Sequence, residues 1–414
     1  MSSNIQVKWD ESDIEDKIVS KITSVKITSN KSFQGPLRAT NITKTTSEKE
    51  MYSNYSLTPL PSQKIFVYYT KFVPETFNNL RESNGKFNKR RTEARTVLLK
   101  ESSKDVIRIL YPRIPRTYKE NKKHIPITKI SPSDAEAAFD FLTDIPENDI
   151  IIPTIPPALD DFNVFKNIID SFKESYETIN SRKPFMGYIP RHDNPKLIEK
   201  MTKYYIDLDM DVKLFGIDFA NGHFTRTMNQ ITRTLIREMD EDYYIHGFNI
   251  PHSDNNRDAI ATVHDLYAHT IGVDGFNNTL YGGGGKRPSK ENSKEEIFNE
   301  FKSKIRYMFR NDYGEYRYYP LKNRLKEKEF DDCNCPICKK EEILKTYKED
   351  SYTKLIEKLR VHRLYNLAVE EDIIKNKIKE GKLHKYMFSK EVPNRSGFVR
   401  QMYQEIGFLR GNTI

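Results

Sequence analysis

All three cysteines of the chain stand within six residues, in Cys333-Asn-Cys335-Pro-Ile-Cys338. Thiolates are soft donors and a tetrahedral zinc ion takes four ligands, so the cluster calls for one more donor from elsewhere. His362 is the expected fourth, 24 residues beyond Cys338 at the end of a helix-like stretch, whereas His384 further on has no comparable setting. Three sulfurs and one imidazole leave no position for water or substrate, so such a metal is structural. A buried turn or a redox-sensitive trio is the plainer alternative, but C-x-C-x2-C with a distant histidine is hard to explain as packing.

A second set of reactive groups follows apolar, β-like runs: Glu101, Thr154, Arg191 with His192, Asp218 with Asn221, Asn249 with His252, and Asp274 with Asn277. Further on, Tyr281 precedes four glycines and then Lys286-Arg287. Amides of Gly283 and Gly284 can point at a phosphate that Lys286 and Arg287 neutralise, although glycine runs also serve as hinges. The aromatic and basic stretch from Arg306 to Tyr319 is suited to gripping a strand, or to packing one subdomain on another.

The elements that must position these groups alternate. Strand-like runs are Lys64-Ile-Phe-Val-Tyr-Tyr-Thr, Thr96-Val-Leu-Leu, Asp149-Ile-Ile-Ile, Phe185-Met-Gly-Tyr-Ile, Val212 to Ile217, Tyr243 to Phe248 and Ile271-Gly-Val-Asp. Between them, helices are expected over Ser133 to Leu142 with Ser133 as N-cap, Phe162 to Ser175, Pro195 to Asp207, Phe224 to Met239 and Arg257 to Thr270. Repeated strand–helix units without a Gly-rich dinucleotide turn favour a closed (β/α)8 TIM-type barrel, whose chemistry sits at the C-terminal ends of the strands. The expected organisation is an irregular or β-rich segment over 1–60, the barrel over 61–290, and a zinc-binding subdomain with C-terminal helices over 291–414.

The 414 residues, 37% of them hydrophobic, suffice for a large buried core. Lys and Arg (68) outnumber Asp and Glu (59), a net charge of +9 that favours a polyanionic partner such as nucleic acid, or simply aids solubility. No apolar run is long enough for a membrane span, the N-terminus lacks a signal core, and a disulfide framework is excluded by count. A cytoplasmic protein without membrane contact is expected.

The cysteine knuckle, its distant histidine and their place after a βα-barrel together resemble the tRNA-guanine transglycosylase family. Ser131-Pro-Ser-Asp through Asp149-Ile-Ile resembles the helix and strand before that family's base-binding loop, and Val273-Asp274-Gly-Phe276-Asn277 resembles its nucleophile strand. The resemblance implies exchange of guanine for a 7-deazaguanine in nucleic acid, with structural zinc and no organic cofactor: one carboxylate attacks C1′ of the sugar and another carries the proton. A homodimer or heterodimer is compatible with it.

Against the family pattern, Asn277 stands where the nucleophilic Asp is expected, leaving Asp274 as the nearest carboxylate, either the nucleophile or a group that ties down the strand end. Glu101, in Glu101-Ser102-Ser103-Lys104, is the counterpart of the second acid or an ordinary loop residue. The purine pocket is rebuilt, with Thr154 after the Asp149 strand and Ile189-Pro190-Arg191 at the Gln-Gly position. Asp218 and Asn221 are expected to supply the lost hydrogen-bonding edge, with strand-end capping as the competing account. The changed acid and pocket motifs lean the expectation toward a DNA-modifying transglycosylase. The tRNA enzyme and a catalytically silent nucleic-acid-binding subunit are the other two readings.

Overall fold

A computed structural model of the chain describes residues 5–12, 20–42, 64–82, 85–100, 105–157, 159–179, 181–219, 225–239, 242–250, 261–262, 265–278, 306–307, 317–320, 335, 337 and 352–388. The chain opens with an antiparallel meander of β1 (Gln6–Ser12), β2 (Lys21–Thr28) and β3 (Lys31–Gln34). There follow β4 (Leu37–Arg38), β5 (Thr40–Ile42), β6 (Ile65–Lys71), helices α1 (Pro74–Arg81) and α2 (Gly85–Leu98), and β7 (Ile107–Arg113). After a small exposed hairpin, β8 (Thr117–Glu120) and β9 (Lys123–Pro126), strands and helices alternate. They are α3 (Pro132–Thr143), α4 (Phe162–Thr178), β10 (Met186–Ile189), α5 (Pro195–Ile206), β11 (Leu214–Asp218), α6 (Thr225–Glu238) and β12 (Tyr244–Ile250). The short β13 (Ala261–Thr262), a 3-10 helix (Asp265–Ile271) and β14 (Gly275–Asn278) come next, then the brief β15 (Arg306–Tyr307) and β16 (Arg317–Pro320). The long α7 (Tyr352–Lys379) and α8 (Leu383–Phe388) complete the described elements.

The fold is mixed α/β around parallel strands, and the pairings run in a circuit. β5 pairs with β6 and β6 with β7. Segment 148–152 meets β7 through Asp149 N donating to Arg108 O and Leu110 N donating to Asn148 Oδ1 (both 2.8 Å), and Ile151 bridges to Phe185 beside β10. From β10 the ladder passes to β11, β12 and β14, and β14 returns to β4, one residue before β5. Strands covered on both faces read as continuous apolar runs, as Ile65–Tyr68 of β6 and Leu214–Ile217 of β11 do, whereas β7 carries the buried Arg108.

Local sequence explains the helix starts. Ser131 caps α3, accepting from Asp134 N at 3.1 Å while Asp134 Oδ2 accepts from Ser131 N, with Pro132 at the first helical position. Asp161 and Asn194 cap α4 and α5 more simply, accepting from Asn163 N and Lys196 N. The meander lies against the N-terminal ends of the parallel strands β12 and β14: Trp9 Nε1 donates to Tyr243 O at 3.0 Å, and Lys21 reaches Asp274.

Several sequence expectations shift. Thr96-Val-Leu-Leu is the end of α2, with Val97 and Leu98 as its buried face, and the strand expected there is β7. Ser131, not Ser133, caps α3. Residues 271–274 are the exit of the 3-10 helix, and the strand begins at Gly275. Within 257–270 only the 3-10 turn is helical among the described residues. The parallel circuit also takes in residues 37–42, inside the segment expected to precede it.

Candidate active site

The C-terminal ends of the parallel strands converge on a buried polar cluster. Asp218, the last residue of β11, accepts hydrogen bonds from Tyr111 Oη at 2.6 Å and from Asn249 Nδ2 at 3.0 Å. A phenol has one proton, and a carboxylate can only accept it, so the 2.9 Å contact between Tyr111 and Tyr188 is donated by Tyr188. The relay Tyr188 to Tyr111 to Asp218 is thereby oriented. Burial and the nearby Asp218 charge push both phenols well above their ordinary pKa, so they act as donors rather than phenolates.

Backbone irregularity builds part of this geometry. The register between β12 and β14 slips between Gly247 and Ile250, and Asn249 takes φ 58°, in the left-handed region that Asn tolerates better than most residues. That local turn lets Asn249 reach Asp218 although Phe248, its neighbour, also faces inward, stacking on Tyr111 at 4.4 Å.

A second chain of hydrogen bonds lines the adjoining wall. Tyr244 Oη meets His246 Nδ1 at 2.9 Å, His246 Nε2 meets Asn277 Oδ1 at 3.1 Å, and Asn277 Nδ2 donates to Asn41 Oδ1 at 2.8 Å and to Tyr69 Oη. Asn277 Oδ1 can only accept, so Nε2 carries the proton and Nδ1 receives that of Tyr244. Burial lowers the His246 pKa to about 4, keeping the imidazole neutral. Gly275 makes room for this chain, since a Cβ there would stand 2.1 Å from Tyr244 Oη. Tyr69 joins the two halves: its ring lies edge-on to Tyr111 at 5.2 Å and its phenol feels the Asp218 charge.

The expected site residues divide. Asp218 and Asn277 enter the cluster. Thr154 lies beyond segment 148–152, fully buried with no hydrogen-bond partner for its Oγ1. Asp274 stands at the opposite, N-terminal end of β14 and is fully engaged. It pairs with Lys21 at 3.2 Å, accepts from Thr23 Oγ1 at 2.6 Å and Ile245 N at 2.8 Å, and its carbonyl accepts from Leu37 N. Of the two expectations for Asp274, this arrangement fits the one in which it ties down a strand end, at the start of β14 rather than after it. Glu101, Asn221, Gly283, Gly284, Lys286 and Arg287 lie outside the described residues.

Of the metal set, Cys335 and His362 are both buried, with Sγ 3.2 Å from Nδ1 although 27 residues separate them. Two ligands of one tetrahedral zinc, at ~2.3 Å for sulfur and ~2.0 Å for nitrogen, sit about 3.5 Å apart. The pair therefore fits a shared ion. Cys333 and Cys338 lie outside the described residues, and among the described ones no group of three or more His, Cys, Asp or Glu could hold a metal.

Comparison with known proteins adds little to this geometry. No family model matches the chain, and no curated protein sequence does. Among solved structures, SrfJ from Salmonella typhimurium aligns over 59% of this chain and 64% of its own, slightly under two thirds, at TM-score 0.38 and 9% identity. A 2,3-dimethylmalate lyase of the PEP mutase/isocitrate lyase superfamily aligns over 81% and 91%, at TM-score 0.35 and 9% identity. A fructose-1,6-bisphosphate aldolase candidate from Coccidioides immitis aligns over 82% and 86%, at TM-score 0.30 and 12% identity. Scores this low carry no argument, and the architecture rests on the strand pairings themselves.

Sequence reasoning passed over Tyr69, Tyr111, Tyr188, His246 and Asn41, all cluster members. Their signal was present in the strand period: Ile107, Ile109 and Tyr111 alternate along β7, as do Tyr244, His246 and Phe248 along β12, so a polar atom in the inward series marks the site.

Proposed function

We propose that this chain is a base-exchange transglycosylase that replaces guanine by a 7-deazaguanine in nucleic acid, with DNA as its polymer. The observation that carries the reading is the Asp218 carboxylate, held at the C-terminal end of β11 by Tyr111 and Asn249. Asp218 Oδ attacks C1′, the C1′–N9 bond breaks, and its electron pair leaves with guanine, which takes up a proton. The incoming 7-deazaguanine loses its N9 proton and displaces the carboxylate. Glu101 is the residue assigned to carry that proton between the two bases. Thr154, with its unpartnered hydroxyl, is the group assigned to the base edge. Zinc bound by Cys333, Cys335, Cys338 and His362 closes a structural site, and it takes no part in the exchange. Support for that part is the burial and proximity of Cys335 and His362.

The test is incorporation of labelled guanine or 7-deazaguanine into duplex DNA, single-stranded DNA and tRNA. Label in DNA is expected, with Asp218→Asn reducing it by about 100-fold or more. Label in tRNA alone would turn the reading to the tRNA enzyme, and full activity of Asp218→Asn would remove Asp218 from the chemistry. One observation favours a second reading, a catalytically silent nucleic-acid-binding subunit: both polar ends of the Asn277 amide are already committed to His246, Asn41 and Tyr69. Binding without incorporation would establish it.

A further inference from the structure

Helix α2 carries its charge on two faces with different fates. Arg91 Nη1 meets Asp144 at 2.8 Å and Arg95 meets Glu147 at 3.1 Å, so the pair one turn apart on this face fastens α2 to the end of α3 and the loop after it. Lys86, Lys89 and Arg90 turn the other way and, with Lys71 from the C-terminal end of β6, line a cleft of ≈ 570 Å³. Two carboxylates share the cleft: Glu75 lies 3.6 Å from Lys86, and Glu93 accepts from Tyr68. Among the described residues no carboxylate comes within ion-pairing distance of Lys71 or Lys89, both exposed. Four cations against two anions leave the cleft positive.

Its position gives the charge a use. Tyr69 also lines the cleft, and its hydroxyl accepts from Asn277 at the barrel mouth. Tyr69 thus ties the rim of the cleft to the Asp218 cluster, while Tyr68, its neighbour on the opposite face of β6, turns to Glu93 of α2. Lys86 and Arg90 are spaced by about 6 Å along the helix axis, which suits successive anionic groups on an extended chain better than one compact anion.

We infer that this cleft binds the phosphate backbone of a nucleic-acid strand, with Lys71, Lys89, Lys86 and Arg90 as the phosphate contacts that present a base to the barrel mouth. The inference rests on the nucleic-acid reading above and adds a place and direction of approach to it.

The test is the salt dependence of binding of a labelled single-stranded DNA to the full chain, by fluorescence anisotropy. Each phosphate contact in a single strand contributes about 0.7 to the slope of log affinity against log salt. Lys71→Gln/Lys89→Gln is expected to lower the slope by about 1.4, while Lys166→Gln/Lys200→Gln, beside the rings of Tyr204 and Phe162, leaves it unchanged. Equal slopes for wild type and Lys71→Gln/Lys89→Gln overturn the inference, as does an equal loss in the Lys166→Gln/Lys200→Gln control. A cleft that takes only free phosphate gives the same equal slopes. Incorporation assays run in parallel keep the two claims apart. The expected slope change without base exchange upholds the cleft and removes the transglycosylase reading, whereas exchange with unchanged slopes does the reverse.

Discussion

His246 is buried among Tyr244, Phe248 and Asn277, and this burial favours the neutral imidazole, with Nδ1 accepting from Tyr244 Oη and Nε2 donating to Asn277 Oδ1. Its pKa of about 4 lies below the ordinary 6.5, so the unfolded chain binds the proton first. The stabilisation is present above about pH 6.5 and is lost as pH falls toward 4, a change on the order of 3 kcal/mol. Chemical denaturation between pH 7 and 4 should show this slope in wild type and a shallower one in His246→Gln; parallel curves would mean that the imidazole titrates elsewhere. Asp218 differs in kind. Replacing it by Asn keeps the acceptor for Tyr111 and should move Tm by a few degrees at most, so a large loss of exchange in a folded Asp218→Asn protein reports chemistry rather than collapse.

At the scale of elements, one buried ion pair helps to join the meander to the parallel strands. Lys21 Nζ sits 4.5 Å from the Tyr243 ring centre and 3.2 Å from Asp274, both side chains about 1% exposed. Burial raises the Asp274 pKa and lowers that of Lys21, each partly offset by the other's charge. Asp274→Ala leaves an ammonium and the Ile245 amide without their acceptor, and should cost about 3–5 kcal/mol in urea unfolding. Lys21→Met/Asp274→Leu should recover a good part of that; a double variant as unstable as the single one would place the cost in the Thr23 and Ile245 bonds instead. The same residue shows what the sequence could and could not convey. The alternation of β-branched runs with capped helices predicts parallel strands near 65–71, 186–189, 214–218 and 244–250, and those runs are strands. Ile271-Gly-Val-Asp also looks like a strand by composition, yet it leaves a 3-10 turn, and the ladder starts a few residues later. That slip of a few positions moves Asp274 from one end of the strand to the other, because a residue's place along a short strand decides which face of the barrel it serves. Likewise Thr96-Val-Leu-Leu is apolar enough for either state, and only packing on β6 and β7 makes it the end of a helix.

For the molecule as a whole, α7 links the proposed metal site to β4 of the parallel sheet. His362 meets Cys335 near one end, and nine residues on, about 13 Å along the axis, Glu371 is buried close to Arg38 of β4. Burial raises the Glu371 pKa to about 8, more than Lys375 and Arg38 lower it, so the folded chain holds a proton there that the unfolded chain releases near 4.5. The sign is opposite to that of His246: this stabilisation is fully present below about pH 4.5 and lost as pH rises through 8. Glu371→Gln removes the titration, and Tm should rise relative to wild type at pH 8.5 while changing little at pH 5. A wild-type lead at both values would show instead that the ionised carboxylate is paired with Arg38. The zinc proposal makes a separate claim on the same helix. One zinc per chain is expected by elemental mass spectrometry, reduced in Cys335→Ser and in His362→Ala, and chelation should lower Tm because α7 then loses its tie at the Cys335 end while its apolar face still packs on β1, β2 and β4. Since every ligand belongs to the protein, chelated chain that stays folded should retain the Asp218 cluster and its chemistry. Metal bound at full stoichiometry in the His362→Ala variant would break the link between the histidine and the cysteine cluster.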